Sequence, residues 1–412
     1  MSIDVTMALR NLWRNPRRTL LTIAAIAFAG TVLVFMLSFQ FGVYDTMINT
    51  SVKIHAGHVQ VMAQGYKDKM NMRRTISKPG KLGSLLEDME EIEAYTYRAE
   101  GFSMVSSEER TYGVMVTGID PDREARVSTI KSLIRTGAYF TDSGDYGALV
   151  GSLLAENLKV KPGDELTILG QARDGSIAVT VVKVRGIFSS GIDDFDRNTV
   201  QIPLKTFQET YRMQGGVHRV VAVCDSLDDV SAVKQTIVGE IAGIENTYPL
   251  EVYDWKEIMP GLLQSIQMDL VSGLIMYGIL IIVVAFSILN TFLMAIFERT
   301  SEFGVLMAIG TGPGRLTKIL LIESIAMTCI GIFLGMGLGS IITLYFQAHG
   351  IDFTGASEIM SQMGISGTMY PRLSALSLTT GPLAVLFITA LAALYPALKV
   401  RKLRPVEAIA SA

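Results

Sequence analysis

Histidine and aspartate side chains are the first candidates for chemistry, because they bind metals and transfer protons. His55 and His58 lie three residues apart, but no cysteine or carboxylate stands near them at a zinc-ligand spacing. Asp193, Asp194 and Asp196 form an acidic cluster that could bind a cation, although a solvated loop is the favoured interpretation. We therefore predict no metal site.

Nucleotide and redox chemistry also lack their usual residues. The stretch 170–176 (GQARDGS) has the glycine spacing of a phosphate-binding loop without the lysine that contacts the phosphates. Cys224 and Cys329 lie far apart, one in a polar region and one in an apolar run, which favours neither a disulfide framework nor a cysteine metal site. We expect no catalytic residue and no cofactor on this chain, so any work against a gradient needs an external source of energy.

The composition is typical of a membrane protein. The 412 residues are 49% hydrophobic and only 18% charged, with a mean hydropathy of +0.37, whereas a soluble domain carries about 25% charged residues. Four apolar runs are each long enough to cross a hydrocarbon core of about 30 Å. They predict four transmembrane helices over 19–41, 270–297, 319–346 and 373–398.

The first apolar run has a rival interpretation as a cleaved signal peptide, because Arg10, Arg14, Arg17 and Arg18 precede it. Its 23 residues exceed the 7 to 15 of a signal-peptide core, and no small-x-small cleavage site follows. We therefore expect a retained helix.

The third run, 319–346, contains one charge and a glycine repeat. Glu323 stands near its start, where we expect it to reach the headgroup region or a neighbouring subunit rather than to act inside the membrane. Gly331, Gly335 and Gly339 follow at intervals of four, a spacing that lets helices approach closely or slide. Packing within the chain is the favoured interpretation.

Basic residues predict the orientation, because Lys and Arg accumulate on the cytoplasmic side. They cluster in the amphipathic segment 1–18, the loop 298–318 and the tail 399–412, so both termini are predicted to be cytoplasmic. The segment 42–269 and the loop 347–372 then lie outside the cytoplasm. Residues 42–269 hold 24 Lys and Arg against 32 Asp and Glu, and the remainder holds 12 against 7. This asymmetry indicates membrane topology and not nucleic-acid binding.

The segment 42–269 predicts a mixed α/β domain. Apolar and polar residues alternate as in strands over 58–62, 112–119 and 177–184. Helical patterns cover 83–93 and 227–241. Arg173, Asp174 and Gly175 have the composition of a hairpin tip. The segment 253–269 (YDWKEIMPGLLQSIQMD) mixes apolar and polar residues, and we expect an amphipathic segment at the outer membrane face or an ordinary core helix.

The order of one span, a large outside domain and three further spans resembles the permease subunits of type VII ABC transporters, the FtsX/MacB superfamily. The most specific segment is 286–310, FSILNTFLMAIFERTSEFGVLMAIG, which is similar to the family's second span followed by E-R-x-x-E-(I/F)-G-x-L-x-A-x-G. Less specific similarities cover 8–19, 151–168 and 395–409.

Within the superfamily, the chain is most similar to the lipoprotein-releasing LolC/LolE type. This similarity comes from 55–61, 184–204 and 255–268. The hairpin 169–179 is shorter and more polar than the carrier-binding insertion of LolC-like chains, which puts direct recruitment of a periplasmic carrier in doubt. MacB-like chains usually have an ATPase fused before the first span, and here 18 residues precede it, so a partner ATPase chain is expected.

The resemblance implies that the segment after the second span contacts that partner, an ATPase dimer that binds ATP and Mg²⁺. Three apolar residues at i, i+3 and i+4 make one face and three charged residues lie beside them. The expected coupling residues are Glu298, Arg299, Glu302, Phe303, Leu306 and Met307. The alternative is a helix that lies on the lipid surface without a partner.

The resemblance also implies a second permease copy, identical or paralogous, and a cargo that enters between the first two spans. Aromatic and methionine side chains at the outer ends of these spans suit acyl chains, although they suit ordinary lipid equally. The candidate cargo residues are Phe35, Met36, Phe39, Phe41, Met268, Leu274, Met276 and Tyr277. The resemblance implies a protein of the inner membrane in which the segment 42–269 and the loop 347–372 are periplasmic. The expected function is ATP-driven extraction or transfer of lipoproteins or other amphiphiles from the inner membrane. The alternatives are MacB-like mechanotransmission to a periplasmic adaptor and FtsX-like regulation of a cell-wall hydrolase.

Overall fold

The computed structural model describes residues 3–141, 145–352 and 368–400. They form two compact units, a helical unit made of the residues up to Tyr44, Ile266–Asp352 and those from Thr368 onward, and an α/β unit, Asp45–Ser265. Most of the predicted loop 347–372 and of the predicted tail 399–412 lies outside the described residues.

Within these described ranges, four helices are long and apolar enough to span a membrane. Numbered along the chain, they are α2 (Pro16–Ser51), α11 (Pro260–Glu298), α13 (Pro313–His349) and α14 (Ala375–Val400). The first three helices contain the predicted apolar runs 19–41, 270–297 and 319–346, and α14 starts two residues after the start of the fourth run, 373–398. The α/β unit is inserted between the first and the second helix. The predicted fold class is therefore confirmed. The helical unit also contains α1 (Ile3–Leu12), α12 (Thr300–Ala308) and a pair of two-residue strands, β11 (Ile351–Asp352) and β12 (Thr368–Met369).

The glycine repeat of α13 lies against α2. Cβ atoms built at Gly331 and Gly339 would approach Ile26 and Val34 within 3 Å, and one at Gly335 would lie 2.6 Å from the carbonyl oxygen of Ala27. Only glycine permits this approach, because no side chain separates the two backbones. The prediction that the repeat packs within the chain is confirmed.

The α/β unit contains ten strands of one sheet and eight α-helices among the residues that the structure describes. The strands are β1 (Val59–Ala63), β2 (Ile92–Ser106), β3 (Thr111–Ile119), β4 (Ile134–Gly137), β5 (Gly147–Gly151), β6 (Glu165–Gln171), β7 (Ile177–Phe188), β8 (Thr199–Pro203), β9 (Arg219–Cys224) and β10 (Leu250–Asp254). The helices are α3 (Tyr66–Lys69), α4 (Pro79–Glu87), α5 (Pro121–Val127), α6 (Ser152–Leu158), α7 (Asp193–Asn198), α8 (Leu204–Thr210), α9 (Val230–Ile241) and α10 (Trp255–Ile258).

Strand pairing closes six of these strands into a ring in the order β2, β3, β8, β5, β7, β6 and back to β2. Valine, leucine and isoleucine side chains fill the interior, as expected for a small barrel. The outer face of the ring carries exposed apolar side chains, among them Phe102, Met104, Leu169, Ile177 and Val179. Beyond the ring, β9, β1 and β10 continue the sheet from β2.

The predicted strands 58–62, 112–119 and 177–184 correspond to β1, β3 and β7, and the hairpin at 173–175 joins β6 to β7. The predicted helix 227–241 corresponds to α9. The predicted helix 83–93 is wrong at its end, because α4 stops at Glu87 and β2 starts at Ile92.

The predicted interfacial segment 253–269 is wrong as a single element. Its first residues complete β10, and a capping box between Asp254 and Glu257 starts the short helix α10. A new helix, α11, begins at Pro260, because proline suits the first turn of a helix and lacks only an amide that would have no partner there. The second spanning helix therefore starts ten residues before the apolar run.

A buried ionic network lies beside the ring. Arg98 forms two hydrogen bonds with Glu124, of 2.6 and 3.0 Å, and Arg219 lies 2.9 Å from Glu100. His218 stacks on Tyr66 with ring centroids 4.7 Å apart. Burial, the largest single influence, would raise the pKa of Glu100, but the charge of Arg219 and the hydrogen bond with His55 together outweigh it and hold that pKa below its usual value.

Gly335→Val is expected to destabilise the helical unit by about 1–3 kcal/mol, because the added carbons meet the backbone of α2 and no rotamer relieves the overlap. Thermal unfolding of the purified protein in detergent measures the loss. Gly337→Val on the same helix is the control, since a Cβ at Gly337 meets nothing within 4 Å. Equal loss in both variants would contradict the close packing of α2 and α13.

The stability of the α/β unit is expected to fall between pH 6.5 and pH 4. Burial lowers the pKa of His218 to about 4, whereas a histidine in an unfolded chain has a pKa of about 6.5. As the pH falls, His218 binds a proton in the unfolded chain but not in the folded protein. This difference costs up to about 3 kcal/mol of stability by pH 4.

Urea unfolding of the full chain at several pH values tests this dependence. His218→Gln should make the profile less steep between pH 6.5 and pH 4, and the remaining slope comes from His55 and His58, whose pKa values burial also lowers. His349→Gln, which changes an exposed histidine, should leave it as in the wild type. A profile unchanged by His218→Gln would show that this residue does not carry the dependence.

Candidate functional site

The segment between the second and third spanning helices is a short helix bounded by turns. Helix α11 ends at Glu298, α12 covers Thr300–Ala308, and Pro313 occupies the first turn of α13. Gly310 has φ +101°, a conformation that side chains with a Cβ rarely adopt. The chain therefore stops α12 at a glycine and restarts after Gly312.

The structure divides the expected apolar face of α12 in two. Phe303 is 3% exposed and packs against Ile296, Leu316 and Val400, and Met307 is partly buried in the same cluster. Leu306 points away from this cluster and is exposed together with Val305 and Ile309. The expectation of one outward apolar face through Phe303, Leu306 and Met307 needs correction, because Phe303 and Met307 anchor α12 to its own unit. The outward apolar face, hereafter the outer α12 face, consists of Val305, Leu306 and Ile309.

Arg299 forms the joint between α11 and α12. Its side chain is buried, with Glu323 of α13 at 3.4 Å and Glu302 of α12 at 3.3 Å. The expectation that Glu323 reaches headgroups or a neighbouring subunit is wrong, since the residue is 5% exposed and faces Arg299. Helix α13 begins at Pro313, so Glu323 lies almost three turns inside the helix. A buried carboxylate needs a partner, and Arg299 is that partner.

The turn between α1 and α2, here called the elbow (residues 13–15), contacts the same segment. Arg14 of the elbow pairs with Glu302, and Arg18, in the first turn of α2, lies 3.1 Å from Glu298. The hydrogen bond from Arg14 lowers the pKa of Glu302. These pairs are more exposed than Arg299 and Glu323, so each contributes little stability, but together they fix which elements touch.

The candidate cargo residues fall into two groups. Met268, Leu274 and Met276 are exposed on α11, whereas Tyr277 and the candidates on α2 are partly buried. The α2 candidates are Phe35, Met36, Phe39 and Phe41. Phe35 packs on Phe346 of α13 at 5.8 Å between ring centroids. The structure therefore leaves α11 freer to contact a cargo than α2.

A polar cluster joins α2 and α11 near these residues, and sequence reasoning missed it. The hydroxyl of Tyr44 donates to Asp269 at 2.6 Å, and the hydroxyl of Tyr277 donates to Gln40 at 2.8 Å. Gly273 lets the side chain of Gln40 approach α11 closely. The signal was present in the sequence, since Gln40 interrupts the first apolar run and Asp269 borders the second. The cluster holds Tyr277 in place, so Tyr277 is a structural residue in the described chain.

The histidines and the acidic cluster have structural partners. His58 accepts a hydrogen bond from the amide of Cys224, and Asp196 accepts from the amide and hydroxyl of Ser190. Asp196 is buried in α7, so the favoured interpretation of a solvated loop is wrong for this residue. Among the described residues, no group of three or more His, Cys, Asp or Glu side chains could hold a metal ion.

Comparison with known families agrees with the order of these elements. The family model described as MacB-like periplasmic core domain matches residues 19–239, more than half of the chain, and the model described as FtsX-like permease C-terminal matches residues 274–405. The chain belongs to the FtsX/MacB superfamily of ABC-transporter permeases.

Known relatives of this permease include lipoprotein-releasing proteins. The lipoprotein-releasing system transmembrane protein LolC of Xylella fastidiosa is 24% identical over 73% of this chain and 74% of its own. LolC of Neisseria meningitidis is 21% identical over 99% of both chains. An ABC transporter permease of Bacillus subtilis, YknZ, is 27% identical over 71% of this chain and 69% of its own.

Among solved structures, the extracellular domain of YknZ covers 48% of this permease and 99% of its own chain, with 15% identity and a TM-score of 0.35. The periplasmic region of MacB from Actinobacillus actinomycetemcomitans covers 53% of this permease and 95% of its own chain, with 13% identity and a TM-score of 0.37.

Removal of the Glu323 carboxylate is expected to destabilise the permease by about 3 kcal/mol, because Arg299 would remain buried with a weaker partner. Glu323→Leu combined with Arg299→Met should regain most of this loss, since no buried charge remains. A double-mutant cycle on thermal unfolding in detergent measures the coupling, with Glu240→Ala on the exposed side of α9 as the control. Additive effects of the two single changes would show that the pair does not interact.

Proposed function

We propose that this permease couples ATP hydrolysis by a separate ATPase dimer to the extraction or transfer of lipoproteins or other amphiphiles from the inner membrane. The observation that carries the proposal is the outer α12 face, which exposes three apolar side chains on a helix whose other side is anchored by Phe303 and Arg299. Apolar residues exposed together on a short helix are typical of a helix that docks into a partner's groove.

The proposed orientation places α1, the elbow and α12 in the cytoplasm, with both termini on that side. The basic residues of 1–18 and 298–318 support this orientation, since cytoplasmic loops are enriched in Lys and Arg. ATP and Mg²⁺ bind to the partner subunits in this scheme. The permease contributes no catalytic group.

The transmission of movement follows from the contacts of Arg299. A displacement of α12 acts on α13 through the buried pair with Glu323, and on the elbow through Arg14 and Glu302. Helix α2 follows α13, because the two backbones touch along the glycine repeat. A packed interior transmits such a shift instead of absorbing it.

The cargo proposal is supported by the exposed side chains of α11 and by the relatives named for lipoprotein release. Transfer of acyl chains out of a membrane costs about 0.8 kcal/mol for each CH₂ group that loses its apolar surroundings. Several acyl chains therefore require the energy of ATP and an acceptor. In the proposal a second permease copy, identical or paralogous, completes the cargo path, and a periplasmic carrier or adaptor receives the cargo.

Val305→Asp is expected to abolish copurification of the ATPase subunit and to reduce its permease-dependent ATP hydrolysis at least tenfold. A buried, unpaired carboxylate in the contact would cost well over the 1.4 kcal/mol that corresponds to this factor. The matched control is Val238→Asp, the same change on helix α9, because Val305 is 51% exposed and Val238 is 49% exposed. Wild-type copurification of Val305→Asp would contradict the coupling proposal.

A photocrosslinking amino acid at Met268 or Leu274 is expected to trap acylated protein in cells labelled with a fatty acid. The control position is Phe387 of α14, since the three side chains have about equal exposed fractions, at 66%, 72% and 65%. Trapping at α11 and not at Phe387 supports a cargo path. Equal trapping at all three positions would contradict a cargo path. If the only crosslinked proteins are ones that bind the α/β unit, the result would support the adaptor or hydrolase alternatives.

A further inference from the structure

An apolar groove runs beside the elbow and is used by none of the contacts described above. It has a volume of about 270 Å³ and lies between the start of α2 and the middle of α13. Its lining is apolar apart from Arg17 and Thr19, with Leu12, Leu20, Ile23 and Ile330 along its length. A groove of this composition on a spanning helix favours a hydrocarbon chain over water.

Polar and cationic groups lie at one end of the groove. Pro16 and Arg17 line the groove and also line a second cavity, of about 540 Å³, whose other lining residues include Asn15, Arg18 and Asn290. Arg17 is exposed and makes no ion pair with any carboxylate in the described ranges. Arg18 is held by Glu298, so Arg17 is the free cation at this junction of the two cavities in the described structure.

Trp13 stands at the same end. It is 82% exposed on the elbow, between a polar and an apolar surface. Tryptophan prefers the membrane–water interface, where the ring contacts both lipid tails and headgroups. A cation beside an exposed tryptophan, with an apolar groove extending from them, matches the chemistry of one kind of ligand.

We propose that the elbow binds one anionic phospholipid, with its headgroup phosphate at Arg17 and the side chain of Asn15 and with an acyl chain in the groove that ends at Ile330. In the orientation proposed above, the lipid comes from the cytoplasmic leaflet. The attraction of anionic headgroups to arginine supplies the preference over a zwitterionic lipid.

The bound lipid has a consequence for helix α12. The elbow carries Arg14, which pairs with Glu302 of α12. A phosphate at Arg17 neutralises one of the clustered cations and leaves Arg14 and Arg18 to their carboxylates. The lipid therefore supports the contact between the elbow and α12.

Fluorescence quenching of Trp13 by brominated lipids tests the proposal. The permease carries Trp255→Phe, so that Trp13 is the only tryptophan, and is placed in phosphatidylcholine nanodiscs that contain a minority of brominated phosphatidylglycerol. We expect brominated phosphatidylglycerol to associate with the site about fivefold more strongly than brominated phosphatidylcholine, a factor that corresponds to about 1 kcal/mol. No ATPase subunit is present, so failure here is separate from failure of the coupling proposal on which the orientation rests.

Two pairs of variants locate the site. Arg17→Gln should abolish the fivefold preference, and Arg10→Gln, which removes an equal charge from α1, should keep it. Ile330→Phe should reduce quenching by filling the groove, and Ile325→Phe, at a similarly exposed position of α13, should not; the two isoleucines are 41% and 45% exposed.

Three outcomes would overturn the proposal. They are equal quenching by the two brominated lipids, equal effects of Arg17→Gln and Arg10→Gln, and displacement of the brominated lipid by inorganic phosphate alone. Displacement by inorganic phosphate would show that Arg17 binds a free anion and not a lipid headgroup. If Trp255→Phe prevents folding, native mass spectrometry of the unmodified chain and its Arg17→Gln variant measures the retained phosphatidylglycerol instead, and equal retention would likewise overturn it.

Discussion

The buried pair of Arg299 and Glu323 is the interaction on which the end of the helical unit that contains α12 depends. Both side chains are removed from solvent, and separating them would leave an uncompensated charge inside the protein. The pair therefore resists the separation of α12 from α13. Phe303 packs on the same side of α12, and the two anchors together determine which face of the helix remains free.

The same constraint extends along the bundle through direct contacts between successive elements. Glycine brings α13 against the backbone of α2. One ion pair holds the elbow to α12, and another holds the first turn of α2 to α11. The polar cluster of Gln40, Tyr44, Asp269 and Tyr277 joins α2 to α11 at their other ends. Helices α2 and α11 are thus tied near both ends, and their separation cannot change without breaking hydrogen bonds.

The sequence predicted the features that depend on local patterns. Apolar runs of spanning length and alternating strands each reflect one element alone, so the four helices and strands such as β3 and β7 were predictable. Contacts between residues that are far apart in the sequence were not predictable. The ring closes through β2 and β6, which lie about 60 residues apart, and nothing local marks that pairing. Periodicity placed Phe303 and Leu306 on one side of α12, but only the packed structure shows that Phe303 is covered. Glu323 was misplaced because polar residues before the apolar run extend its helix to Pro313.

The closed ring of β2, β3, β8, β5, β7 and β6 limits how another protein could attach to the α/β unit. A closed ring offers no row of unpaired backbone amides and carbonyls, so a peptide cannot join it as an additional strand. Among the described strands, only β10 and β4 end the sheet. Recognition on the ring itself must therefore proceed through side chains. The exposed Phe102 and Ile177 provide an apolar contact surface, whereas the backbone provides no free hydrogen-bonding edge.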